Sequence, residues 1–69
     1  MSPKRKPMTP RDIVTRLRAD GWDIKRKGPG DHVQWVHTLK SGKVTLDMGV
    51  REVPTKTLQS IFKQAGWVW

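Results

Sequence analysis

Residues 22–37 read WDIKRKGPGDHVQWVH, and this stretch decides the fold. Trp22 and Ile24 alternate with Asp23, Lys25 and Lys27, a two-residue period that marks a strand with successive side chains on opposite faces. Gly28, Pro29 and Gly30 then make a turn. The next run places Val33, Trp35 and His37 on one face and His32, Gln34 and Val36 on the other. After a Ser41-Gly42 turn, Val44 and Leu46 alternate with Lys43, Thr45 and Asp47, so a third strand pairs as a meander. The predicted sheet is antiparallel and apolar on one side only.

Outward from this sheet, both ends of the chain read as helix. Thr9 suits an N-cap, Pro10 the first helical position, and Asp12 completes a variant capping box, with Met8 and Ile13 as a hydrophobic staple. Ile13, Val14 and Leu17 form a narrow apolar stripe, Arg11, Arg16 and Arg18 lie largely off it, and Gly21 stops the helix, predicted over roughly 10–20. MGVREVP, residues 48–54, reads as a loop. Leu58, Ile61, Phe62 and Ala65 then fall at i, i+3, i+4 and i+7, which predicts a second helix over roughly 55–65, ended by Gly66. The order is α-β-β-β-α, a two-layer α+β sandwich in which two helices cover one face of a three-stranded antiparallel sheet. The predicted core is Ile13, Val14, Leu17, Trp22, Ile24, Val33, Trp35, Val44, Leu46, Leu58, Ile61, Phe62 and Ala65. Trp22 and Trp35 share the register of Ile24 and Val33, so they read as core and not as platforms for stacked bases.

Composition limits what such a domain can do. A chain of 69 residues buries only about 60% of its unfolded surface, so its core is thin. Fourteen Lys plus Arg against six Asp plus Glu give a net charge of +8. The excess outlasts removal of Lys4, Arg5 and Lys6, because 11 cations still face 6 anions over residues 10–69. A polyanion is the natural ligand, although solubility or an acidic protein partner also explains a basic surface. Residues 1–8 read as a flexible basic arm and 9–69 as a single domain. No cysteine is present, which fits a reducing compartment, so the cytoplasm is the expected location; no stretch reads as a signal peptide or membrane span.

With the apolar residues facing the helices, the opposite face collects Asp23, Lys25, Lys27, His32, Gln34, Lys43 and Thr45. Lysines attract phosphate. Histidine adds a group that accepts and donates a proton near neutral pH, as activation of an RNA 2′-hydroxyl requires. The Gly-Pro-Gly turn fixes the start of the strand, and Gly30 leaves room for a backbone to approach. On spacing alone an ordinary surface histidine remains the simpler reading of His32. Asp31 points to the other side of the strand, where it acts on the imidazole through space or caps the turn. His37, in the core-facing register, reads as a boundary residue. No metal site is expected, since His32 and His37 point to opposite faces and the aspartates are not clustered; no cofactor motif or serine-base arrangement is present either.

Three stretches carry a family resemblance: RADGWDIKRK, KGPGDHVQWVH leading into KVTL, and TLQSIFKQAG. In order and spacing the chain resembles the HicA family, the small mRNA-cleaving toxins of HicA/HicB toxin–antitoxin systems, whose fold is similar to a double-stranded RNA-binding domain. The likeness covers most of residues 10–66. It implies an endoribonuclease with one catalytic histidine in a Gly-x-His motif, here Gly30-Asp31-His32. It also implies metal-free cleavage of mRNA in a bacterial or phage-encoded setting, and a HicB-like antitoxin that covers the histidine. Asp31 stands where the family commonly has Ser, and Lys56 where it commonly has Gly.

The expected mechanism has His32 as catalytic residue and Lys25, Lys27, Gly30, Gln34 and Lys43 as RNA contacts. The lysines hold phosphate, and Gln34 helps orient the strand. The free toxin is expected to be a monomer that forms a hetero-oligomer with its antitoxin. Two other readings use the same surface: a non-catalytic RNA-binding module, and an interaction domain for an acidic protein. Trp67 and Trp69 either fold back on the core or offer an apolar contact to the antitoxin.

Overall fold

The computed structural model describes residues 7–28 and 30–69. The basic residues Lys4, Arg5 and Lys6 of the expected arm, and Pro29 of the turn, lie outside the described residues. Helix α1 (Pro10–Ala19) precedes strands β1 (Trp22–Lys27), β2 (His32–His37) and β3 (Val44–Asp47), and helix α2 (Thr55–Ala65) closes the order. The strands form one sheet in the order β1-β2-β3, with both pairs antiparallel. This is the α+β arrangement that the sequence predicts, with element boundaries within a residue or two.

Local chemistry explains those boundaries. The Thr9 hydroxyl accepts from Asp12 N–H at 3.2 Å while the Asp12 carboxylate accepts from Thr9 N–H at 2.9 Å, so the shorter Asp closes the capping box reciprocally. Helix α2 ends in a Schellman motif: Gly66 is left-handed (φ 75°), its N–H donates to Lys63 O, and Trp67 N–H donates to Phe62 O. The hydrophobic contact that accompanies this motif is present, because the Trp67 ring meets Phe62 edge-on at 5.2 Å. Trp69 also meets Phe62 at 5.2 Å, and the Arg16 guanidinium lies 4.8 Å from Phe62 and 4.7 Å from Trp67. The tail therefore folds back onto the core, the first of its two expected roles.

Ile13, Leu17, Trp22, Trp35, Val44, Leu46, Leu58, Ile61, Phe62 and Ala65 are all buried in one cluster, with Val14 and Val33 packed at its margin. Two residues depart from the expected core. Val53, read as loop, is buried, and its N–H donates to Met8 O, which pins the segment before α2 against the start of the domain. Ile24, in the inward register, remains 38% exposed. The exposure of Ile24 locates the site.

Candidate active site

The pairing of β1 with β2 slips by one residue. Trp22 lies across from His37 and Ile24 from Trp35, but beyond Lys25 it is Arg26 that faces Gln34, and Lys27 that faces Val33. A bulge of this kind reverses which face the following side chains take. Arg26, not Lys25 or Lys27, therefore shares the outer face with Gln34 and Thr45, while Lys27 continues the inner face beside Val33. The expected outer surface of Asp23, Lys25, Lys27, His32, Gln34, Lys43 and Thr45 is corrected accordingly. Lys25 sits exposed in the bulge, and Lys43 sits exposed just before β3.

On the inner face the helices stop short of the β1–β2 turn. Between α1 and this uncovered end runs a groove of about 350 Å³. Val14 and Arg18 form its helical wall, and Ile24, Val33 and Trp35 line it from the sheet. Lys27, Gly30, Asp31, His32 and Met48 surround its outer end. The Arg18 guanidinium is 5.3 Å from the Trp35 ring, a stacked position that keeps the charge at the groove. Arg18 is the cation that sequence reasoning left aside; its i+4 relation to Val14 was the signal that both belong to one side of the helix. Lys27, Gly30 and His32 all border this groove, Lys27 from the inner face and His32 from the first position of β2, where it starts the strand in the outward register it shares with Gln34.

His32 occupies the first position of β2, where Gly28 N–H donates to His32 O at 2.8 Å and closes the turn. It is exposed, and its ring receives no hydrogen bond from another described residue. Its cross-strand partner is Asp47, which places a carboxylate on the imidazole's side of the sheet. That carboxylate is held by Gly49 N–H at 2.8 Å. Gly30 adopts φ 67°, and a Cβ built there would meet nothing within 4 Å, so the approach to His32 is open on that side. Asp31 is tied to the segment after β3: its carbonyl accepts from Met48 N–H at 2.8 Å, and its side chain lies where a Cβ on Gly49 would fall.

A second polar cluster at the far end of the sheet is structural. The Asp20 carboxylate accepts from Lys40 Nζ at 2.7 Å, Trp67 Nε1 at 2.9 Å and Trp22 Nε1 at 3.0 Å. These bonds, Lys40's first, hold the Asp20 carboxyl well below the usual carboxylate range. His37 joins the cluster as a boundary residue: its Nδ1 accepts from Leu39 N–H at 3.0 Å, which leaves Nε2 to donate to Asp20 O at 2.7 Å. Both ring nitrogens are occupied, so His37 is not placed to act on a substrate. Among the described residues no three His, Cys, Asp or Glu side chains gather where a metal ion could be held, and no helix is long and apolar enough to cross a membrane.

No curated protein and no solved structure matches the chain. A family model does, over residues 10–67, which takes in both helices, the whole sheet and the Gly30-Asp31-His32 corner. The chain belongs to the HicA family, the toxins of bacterial toxin–antitoxin systems.

Proposed function

We propose that the protein is a toxin endoribonuclease that cleaves mRNA without a metal ion, with His32 moving the proton. His32 takes the proton from a ribose 2′-hydroxyl as its oxygen attacks the adjacent phosphorus. Water protonates the departing 5′-oxygen on the opposite side of the phosphorus and the imidazolium returns its proton to solvent, which leaves a 2′,3′-cyclic phosphate on one fragment and a 5′-hydroxyl on the other. Lys27 and Arg18 hold the phosphate and stabilise its added charge, and Lys25 and Lys43 extend the attraction along the strand. A HicB-like antitoxin neutralises the activity by covering this corner. The observation that carries the reading is the exposed His32 at the edge of a groove that Lys27 and Arg18 also line, in a chain of the HicA family.

The test is tightly controlled expression of the chain beside His32→Ala, with growth and bulk mRNA followed together. Loss of a general acid-base group costs about 10² to 10⁴ in rate, so His32→Ala should abolish both arrest and decay. Equal arrest and equal decay for the two would remove His32 from the mechanism. Purified protein with EDTA should release fragments ending in cyclic phosphate.

A further inference from the structure

The groove continues inward from His32 over apolar side chains that a thin-cored domain would ordinarily cover. Ile24 is 38% exposed and Met48 39% exposed, and both line it. Exposed apolar surface rimmed by charge marks a binding site. The rim here is cationic on both flanks, Arg18 on the helix and Lys27 on the strand, with His32 at the open end. An occupant that suits this arrangement has a flat apolar body joined to an anionic chain. The groove also holds an unmet polar demand. Trp35 Nε1 is the one buried side-chain donor or acceptor among the described residues that has no partner, and Trp35 lines the groove. An acceptor that reaches this N–H would relieve the cost of leaving it unpaired.

Resting on the ribonuclease reading, we infer that the groove binds an unpaired nucleobase of the RNA, that of the nucleotide whose 2′-hydroxyl attacks. Attack on phosphorus requires the 2′-oxygen, the phosphorus and the leaving 5′-oxygen to lie in line. Stacked A-form RNA does not supply that alignment; a nucleotide splayed out of the stack can. RNA is read mainly through such splayed bases, packed against apolar or aromatic side chains with their edges hydrogen-bonded. Seating the base over Ile24 and Met48 swings its ribose to the mouth, where His32 meets the 2′-hydroxyl and Lys27 and Arg18 meet the phosphate. The buried Trp35 N–H takes an acceptor on the base edge where the groove wall yields to the base. This makes the enzyme specific for single strands and makes the base 5′ to the cut the main determinant of where it cuts.

The experiment uses the full chain and a short single-stranded RNA containing a mapped cleavage site. The nucleotide 5′ to the scissile bond is replaced by an abasic ribose, which keeps the 2′-hydroxyl and the phosphate. Packing of a base is worth a factor of about ten or more, so the wild-type protein should cut the abasic substrate at least tenfold more slowly. Ile24→Trp, which fills the groove from a half-exposed position, should cut normal and abasic RNA at the same reduced rate, with circular dichroism reporting an intact fold. A strand annealed to its complement should resist cleavage. Equal wild-type rates on normal and abasic RNA would overturn the inference and leave the ribonuclease reading standing; the groove would then seat something else, such as an apolar side chain of the antitoxin. No cleavage of any RNA by wild type, or full cleavage by His32→Ala, would overturn the ribonuclease reading and this inference with it. If Ile24→Trp fails to fold, the wild-type comparison of normal with abasic RNA decides alone.

Discussion

Replacing Asp20 by alanine should destabilise the protein by about 2–4 kcal/mol, although Asp20 is far from the candidate site. One carboxylate oxygen receives three donors, and they are lost unequally. Trp22 is 1% exposed, so its indole N–H would be left without a partner, at about 1–3 kcal/mol. Trp67 is only half-buried and can turn to water, at about 0.5–1.5 kcal/mol. Lys40 and Asp20 are 36% and 33% exposed, so solvent screens the ion pair and it adds at most about 1 kcal/mol. A domain of 69 residues has a total stability of roughly 3–10 kcal/mol, so the loss is a large fraction of it. The melting temperature should fall by on the order of 10–25 °C. Urea unfolding followed by tryptophan fluorescence measures it, since Trp22 and Trp67 report the cluster directly. Asp20→Asn keeps an acceptor and should cost about half as much. The sign of the pH dependence is also determined. The folded carboxyl titrates below its unfolded value of about 3.9, so its contribution is present above that value and drains away as pH falls toward the folded one. Wild type should therefore lose its advantage over Asp20→Asn between about pH 5 and pH 2. An Asp20→Ala protein within about 0.5 kcal/mol of wild type would refute the reasoning.

Gly21→Ala should destabilise by about 1–3 kcal/mol, because Gly21 has φ 92° and the new Cβ would stand 3.0 Å from His37 Nε2; thermal melts check this. Gly49→Ala should displace the Asp31 side chain, whose Oδ2 lies 2.5 Å from the Cβ position, and thereby loosen the turn before His32. Asp31→Gly should absorb most of that damage, so a double-mutant cycle should show coupling of about 0.5 kcal/mol or more. In RNA binding measured across salt concentrations, Lys27→Ala and Arg18→Ala should each lower the salt slope by about one, and Arg26→Ala, on the outer face, should do less. Equal effects from Arg26 and Lys27 would mean that the groove face is not the RNA face.

Much of this molecule is legible in its amino-acid order, and the legible parts rest on local chemistry. The capping box at Thr9 and Asp12, the left-handed stop at Gly66, and the alternation of Val33 with Trp35 and of Val44 with Leu46 specify helix and strand within a few residues. The position of His32 at the head of a strand follows from the turn before it, and the charge balance points to a polyanion. Two features needed the folded chain. WDIKRK contains no glycine to announce a bulge, and the slip at Lys25 arises from pairing with β2; it moves Lys27 to the inner face and brings Arg26 to the outer one. The groove arises because α1 stops covering the sheet before the turn, which leaves Ile24 and Met48 exposed and sets Arg18 opposite Lys27. Periodicity reports which side of its own element a residue takes. Whether another element covers that side depends on the lengths and packing of both, and only the tertiary structure decides it.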